Sequence, residues 1–282
     1  MQDFALARSL SPDQGIFSQA EAEVVEKMKA SKEPEEILGL VQEHIGAAGA
    51  QEAGFARFYD LCVLTNRDKD GGLGGDEDVI AGIDAQIGAA GMQEAWRAGI
   101  YDQAMAYVNS KTINQTKIGE LGGIEAVIAG MRAHEATEGV QGAGCAALYS
   151  LCHLKANKAK AVRLGGVEAV VAGMRAHKDA AGVQSKGCEA LDSLCLRGAN
   201  WAKIAALGGI EAVIAGMDAH KDAANVQLHG CRVLGNLTLD GGIVKRMKAL
   251  GTVREVVERA RAAHPSNSKV QTLGKFVLGK LE

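Results

Sequence analysis

Three histidines recur at one interval along the sequence, and histidine is the commonest metal ligand in proteins. His134, His177 and His220 lie 43 residues apart, each at the end of a predicted helix. Zinc requires imidazole nitrogens at about 2.0 to 2.1 Å, whereas packed helices lie about 8 to 10 Å apart, so successive histidines do not readily share one ion. We interpret them as residues at helix C-termini, where they meet free carbonyl groups and the negative end of the helix dipole.

A second candidate for metal chemistry is the segment "NRDKDGGLGGDE". Aligned to an EF-hand loop, it places Asn66, Asp68 and Asp70 at the first three oxygen-ligand positions, Gly71 at the turn and Glu77 at the last position. However, the first ligand is Asn rather than Asp, no second EF-hand loop accompanies this one, and its "LGG" letters belong to a repeated motif. A calcium-regulated adaptor is therefore one hypothesis, and a solvated acidic loop is the other.

The cysteines also recur, at two positions of the same period. Cys145, Cys188 and Cys231 share one position, and Cys62, Cys152 and Cys195 share the other. No CxxC motif is present, and a small apolar thiol suits a tightly packed core. We predict buried free thiols in a reducing compartment.

Enzyme motifs are missing from the sequence. The segment "HEATE" at His134 lacks the second histidine of HExxH, no GxSxG occurs, and "GGLGG" follows a predicted helix and lacks the lysine of a P-loop. We therefore predict no enzymatic activity, no catalytic residue and no cofactor.

The composition favours helices packed through small residues. The 282 residues include 36 Gly but only 3 Pro, and 4% are aromatic. No apolar run is long enough for a membrane span, and the first residues lack the pattern of a signal peptide. We expect an intracellular protein, cytoplasmic by default, with an organellar location open if a targeting peptide was removed.

A fixed repeat organises these candidate residues. Leu121, Leu164, Leu207 and Leu250 lie 43 residues apart, and each is followed by Gly. Such a period indicates a solenoid. Around each Leu-Gly boundary the pattern predicts a short first helix, a second helix after the glycines and a third helix with one apolar face.

We predict about six units of 42–48 residues behind a helical cap at 1–35. The repeat domain spans 36–282, with units near 36–73, 74–120, 121–163, 164–206, 207–249 and 250–282. Glycines also recur inside helices, where each costs roughly 0.5 to 1 kcal/mol relative to Ala. We expect close contact with the neighbouring unit to explain Gly130, Gly173 and Gly216 in second helices and Gly54, Gly144, Gly187 and Gly230 in third helices.

The third helices end in "AALYSL", "EALDSL" and "RVLGNL". Together with the helix order and the period, these endings resemble the armadillo-repeat family. The resemblance implies an all-α fold, a right-handed α-α superhelix.

In this family, nuclear-import receptors hold extended peptides in a third-helix groove through recurring Asn and Trp side chains. Here only Asn236 matches that Asn, so an import-type cargo receptor is a disfavoured alternative. The other Asn positions carry Asp60, Asp102, Ser150 and Ser193, and the Trp positions carry Ala56, Ala98, Ala146, Glu189 and Arg232.

A different set of side chains lines the predicted groove. The candidate partner-binding residues are Tyr59, Asp60, Tyr101, Asp102, Tyr149, Glu189, Asp192, Arg232 and Asn236. Aromatic rings beside carboxylates suit a partner segment that carries Lys or Arg. The other interpretation is that the tyrosines only cover the edge of the core.

The two halves of the chain carry opposite charge. Residues 1–120 hold 20 acidic and 10 basic residues, a net charge of −10, whereas 121–282 carry a net charge of +7. We predict a non-enzymatic scaffold, adaptor or structural subunit of a larger assembly that binds protein partners. A basic segment would meet the acidic N-terminal half and an acidic surface the basic C-terminal half. We predict no nucleic-acid partner and no direct membrane insertion.

Overall fold

The computed structural model describes residues 19–63, 112–195 and 199–282. These residues form helices and short connections, and no strand occurs among them. The prediction of an all-α protein is confirmed. The helices are α1 (Gln19–Ala30), α2 (Pro34–Glu43), α3 (Ala48–Val63), α4 (112–120), α5 (Gly123–Ala133), α6 (Glu138–Leu151), α7 (Lys155–Arg163), α8 (Gly166–Ala176), α9 (Ala181–Leu194), α10 (Ala199–Ala206), α11 (Gly209–Ala219), α12 (Ala224–Leu237), α13 (Gly241–Leu250), α14 (Thr252–Ala263) and α15 (Ser268–Lys280).

The boundary between first and second helices is set by glycine. Gly122, Gly165, Gly208 and Gly251 have φ angles of 97°, 89°, 78° and 69°, in the left-handed region that side chains with a Cβ resist. A short helix ends before each of these glycines, and the second helix begins directly after it. The predicted Leu-Gly turns are therefore confirmed at these four positions.

The helices pack in two parallel series. Each third helix contacts the next, in the order α3, α6, α9, α12 and α15. The second helices contact one another in the same way, in the order α2, α5, α8, α11 and α14. Apolar side chains between the two series form one continuous core, so each unit covers the apolar surface that its neighbour leaves bare.

The N-terminal helices have an unexpected neighbour. Helix α3 packs directly on α6, and α1 covers α2 and α3 through buried residues such as Met28. Of the predicted 74–120 unit, only 112–120 lies within the described residues, and residues 1–18 of the predicted cap lie outside them. The C-terminal helices α14 and α15 end the two series in the described chain.

The recurring glycines have two different neighbours. In the second helices the expectation is confirmed: a Cβ on Gly173 would lie 2.6 Å from Oε1 of Gln141, on the third helix of the preceding unit. In the third helices it is wrong, because the crowding atoms belong to the same unit. A Cβ on Gly144 would lie 2.5 Å from Cγ of Met131 in α5. At Gly144, Gly187 and Gly230, glycine makes room for a buried methionine between a unit's own second and third helices, and at Gly54 it makes room for Val41 of α2.

Within the described ranges, no helix has the length and apolarity that crossing a membrane requires.

Candidate partner-binding face

The side of the third-helix series that faces away from the second helices is here called the third-helix face. Tyr101 and Asp102 lie outside the described residues. The other predicted groove residues are placed on α3, α6, α9 and α12, and most are partly exposed. Several of them meet in two polar clusters that each connect more than one helix.

The first cluster is centred on Glu189 in α9. This residue is buried, with a relative exposure of 7%, and its carboxylate accepts hydrogen bonds from Nζ of Lys186 at 2.9 and 3.2 Å. Nε2 of His229 in α12 lies 3.3 Å from the same carboxylate. Nζ of Lys186 also lies 5.7 Å from the centre of the Tyr59 ring in α3, within the range of a cation–π contact. Lys186 therefore spans the face from α9 to α3, on the far side of α6.

Helix α6 leaves room for this long contact. Helix α6 carries Ala143 and Ala146 at the positions 43 residues before Lys186 and Glu189, which are the matching positions of the preceding unit. Because these side chains are small, the lysine can extend across α6 rather than over a bulky residue.

The second cluster joins α9 to α12. Nδ2 of Asn236 donates to Oδ1 of Asp192 at 2.6 Å, and Nη1 of Arg232 lies 3.9 Å from Oδ2 of Asp192. Burial raises the pKa of the Asp192 carboxyl, while Arg232 and Asn236 oppose that rise. The one Asn that matches the import-receptor pattern is thus bonded to a neighbouring carboxylate of its own chain.

The two described tyrosines of the predicted column have different surroundings. Tyr149 makes an edge contact with the ring of His153, with centroids 4.9 Å apart, and its main-chain oxygen accepts a hydrogen bond from Oγ of Ser193. Tyr59 instead has the ammonium group of Lys186 over its ring. Next to it, the carboxylate of Asp60 lies 4.0 Å from Arg57.

An aromatic group that the sequence analysis missed lies at the end of the face. Phe276 in α15 is 43% exposed, and Nζ of Lys280 lies 5.6 Å from the centre of its ring. Phe276 follows Arg232 by 44 residues, the interval that also separates Gln227 from Gln271. Extending the column of Arg232 by one unit would have found it.

A series of glutamines, all buried except the last, was also missed. Nε2 of each donates to two carbonyl oxygens at the end of the preceding second helix; Gln184, for example, bonds to Met174 at 2.8 Å and His177 at 2.9 Å. This arrangement recurs at Gln51, Gln141, Gln184, Gln227 and Gln271. The signal was present in the sequence as Gln seven residues after each helix-ending His.

The histidines at the ends of the second helices form hydrogen bonds between neighbouring units. Nε2 of His134, His177 and His220 lies 2.7 to 2.8 Å from a main-chain oxygen in the turn of the preceding unit, namely that of Ile45, Glu135 and Lys178 respectively. The interpretation of these residues as helix C-terminal groups that meet carbonyls is confirmed. Their role in the described structure is to tie units together.

The cysteines occupy core positions, as predicted. Five are buried and Cys195 is partly buried. Burial raises the pKa of Cys145, Cys152, Cys195 and Cys231 to about 12, so these thiols are poor nucleophiles at neutral pH.

The described residues contain no candidate metal site. Among those residues, no three His, Cys, Asp or Glu side chains are arranged to hold an ion. The EF-hand-like candidates Asn66, Asp68, Asp70 and Glu77 lie outside the described residues.

Comparison of the chain with known protein families, with curated proteins and with solved structures finds no match. The described helices and their contacts define the class as an all-helical protein whose third helices form one continuous face.

Proposed function

We propose that the chain is a non-enzymatic protein-binding module, an armadillo-like stack of three-helix units that holds an extended segment of a partner along its third-helix face. The observation that supports this proposal is the distribution of side chains. Charged and aromatic groups from α3, α9, α12 and α15 gather on one face. The recurring Gln residues instead form hydrogen bonds within a unit, and the recurring His residues form them between units.

The charge of the two ends favours unlike partners. The described residues 19–63 hold nine acidic and four basic side chains, whereas 241–282 hold three acidic and nine basic side chains. A partner with a basic segment would suit the first end, and a partner with an acidic surface the second, because complementary potentials speed and orient association. This arrangement suits an adaptor or a subunit wedged between two proteins.

Site-specific photocrosslinking tests the location of the binding face. We would place p-benzoylphenylalanine at Phe276, which is 43% exposed on the third-helix face, and at Ile113, which is 62% exposed on a first helix. In cells that make the protein, the Phe276 position should crosslink to a discrete partner and the Ile113 position should not. Equal crosslinking from both positions, or none from Phe276, would contradict the proposal.

The lifetime of the complex with the partner distinguishes a transient adaptor from a permanent subunit. A permanent subunit should copurify with its partner at constant ratio through dilution and should behave poorly alone, since such interfaces are large and apolar. An adaptor should be a stable monomer and lose its partner on dilution. Size-exclusion chromatography with light scattering, over a range of concentrations, distinguishes the two.

A further inference from the structure

We infer that Lys186 acts as an internal substitute for a ligand, filling a cation site made by the Tyr59 ring and the Glu189 carboxylate, and that a partner's arginine or lysine side chain binds there by displacing it. This inference rests on the proposed protein-binding function and specifies the chemistry that the third-helix face recognises.

The geometry of the cluster supports a built cation site. Besides its 2.9 Å bond to Lys186, Glu189 lies 3.3 Å from Nε2 of His229, a contact that does not involve the lysine, and its side chain is only 9% exposed. An aromatic face opposite a carboxylate is the arrangement that binds ammonium and guanidinium groups in proteins. The site therefore has both the charge and the stacking surface that a basic side chain needs.

The occupant of this site is movable. Lys186 reaches it on a long flexible stem, with a side chain that is 23% exposed. By contrast, Tyr59 and Glu189 are anchored on α3 and α9, which pack on opposite sides of α6. Swinging Lys186 into water would vacate the space between ring and carboxylate without moving a helix. A guanidinium has the advantage over an ammonium there, because its plane can stack on the ring while it donates two hydrogen bonds to the carboxylate.

The competition predicts an order of affinities. Lys186→Met removes the internal cation but keeps the apolar stem, so an external cation should bind more tightly, by tenfold or more. Lys186→Arg strengthens the internal contact and should weaken external binding severalfold. Because the arginine variant keeps the ion pair with Glu189, it tests the inference even if the methionine variant fails to fold.

The experiment uses the full chain labelled with 3-fluorotyrosine, titrated with N-acetylargininamide and followed by ¹⁹F NMR. The sequence has four tyrosines, so Tyr59→Phe identifies the Tyr59 signal. We expect a saturable shift of that signal with affinity in the order Lys186→Met, wild type, Lys186→Arg. The neutral analogue N-acetylcitrullinamide should produce no shift, Glu189→Gln should weaken binding in the Lys186→Met background, and Lys155→Met on an exposed first-helix site should behave as wild type.

Equal affinities for the wild type and both Lys186 variants, or an equal response to the citrulline analogue, would overturn the inference. This test needs no natural partner. Failure of the crosslinking experiment would therefore count against the proposed function alone, and crosslinking without cation dependence would count against the displacement of Lys186 alone.

Discussion

Asn114 donates from Nδ2 to the main-chain oxygen of Leu61 at 2.7 Å, although 53 residues separate the two in the chain. Asn157 makes the matching bond to Leu151, only six residues earlier, at 3.1 Å. In both cases a first helix closes the C-terminal end of a third helix whose last carbonyl groups have no partner within the helix. Helices α3 and α4 are therefore joined as closely as units that are consecutive in the chain.

The first prediction concerns these asparagines. Asn157 is buried and bonds to two carbonyl oxygens, of Leu151 and of Gln115, so Asn157→Ala should lower the free energy of unfolding by about 1 to 3 kcal/mol. Asn114→Ala removes one bond and should cost about 1 kcal/mol. Thr116→Ala is the control, because its hydroxyl is exposed and bonds within its own helix. Urea unfolding measures all three, and a loss for Thr116→Ala as large as for Asn157→Ala would contradict the prediction.

The repeat explains which features the sequence could predict. Helix starts after Gly165 and Gly208 were predictable because a fixed period and a left-handed glycine mark them locally. The contact of α3 with α6 was not, because spacing along the chain gives the number of units and not the order in which they pack. The contact between Lys186 and Tyr59 was also beyond the pattern, since it crosses an intervening helix. The sequence did indicate Glu189, Asp192 and Arg232 as face residues, but not the ion pair of Lys186 with Glu189 or that of Arg232 with Asp192.

The glutamine series gives a second prediction. Gln184 is 1% exposed and donates to the carbonyl oxygens of Met174 and His177. Gln184→Leu would remove both bonds, although the His177 oxygen would still accept from the main-chain N–H of Ala180. We expect a loss of about 1 to 3 kcal/mol in unfolding free energy, because a buried carbonyl that loses its donor costs roughly that amount. The matched variant is Gln271→Leu in the last unit, where the residue is partly exposed and water can take over the bonds. Equal losses for the two variants would argue against this account.

Two glycines with opposite surroundings give a third prediction. Gly39 lies in the exposed part of α2, and a Cβ added there would have nothing within 4 Å, so Gly39→Ala should stabilise the protein by roughly 0.5 to 1 kcal/mol. A Cβ on Gly230 would lie 2.5 Å from Sδ of Met217, so Gly230→Ala should destabilise by about 1 to 3 kcal/mol through overpacking. Thermal unfolding should shift in opposite directions. Adding Met217→Leu to Gly230→Ala should recover part of the loss if crowding by the sulfur is its cause.

The buried thiols give a fourth prediction. Burial raises the pKa of Cys145 from 9.0 to about 12, so the folded state keeps a proton that the unfolded state loses above pH 9. Unfolding free energy should therefore fall as the pH rises above about 9, by up to roughly 1.4 kcal/mol per pH unit for each such thiol. Cys145→Ala should reduce the slope between pH 9 and 11 by about one thiol's share. An unchanged slope would show that other groups cause the alkaline loss.

The last prediction concerns a carboxyl at the junction of α3 and α6. Burial raises the pKa of Glu52, and the nearby charge of Glu138 raises it further. A carboxyl with a raised folded pKa favours the folded state while protonated, and this advantage is lost as the pH rises through the folded pKa. Glu52→Gln should therefore increase unfolding free energy at pH 7 and have little effect at pH 4, whereas Glu138→Gln should give a smaller gain because it removes only the repulsion. Urea unfolding at both pH values measures these effects, with Glu43→Gln at an exposed position as the control. Equal stabilisation by Glu52→Gln at pH 4 and pH 7 would contradict this account.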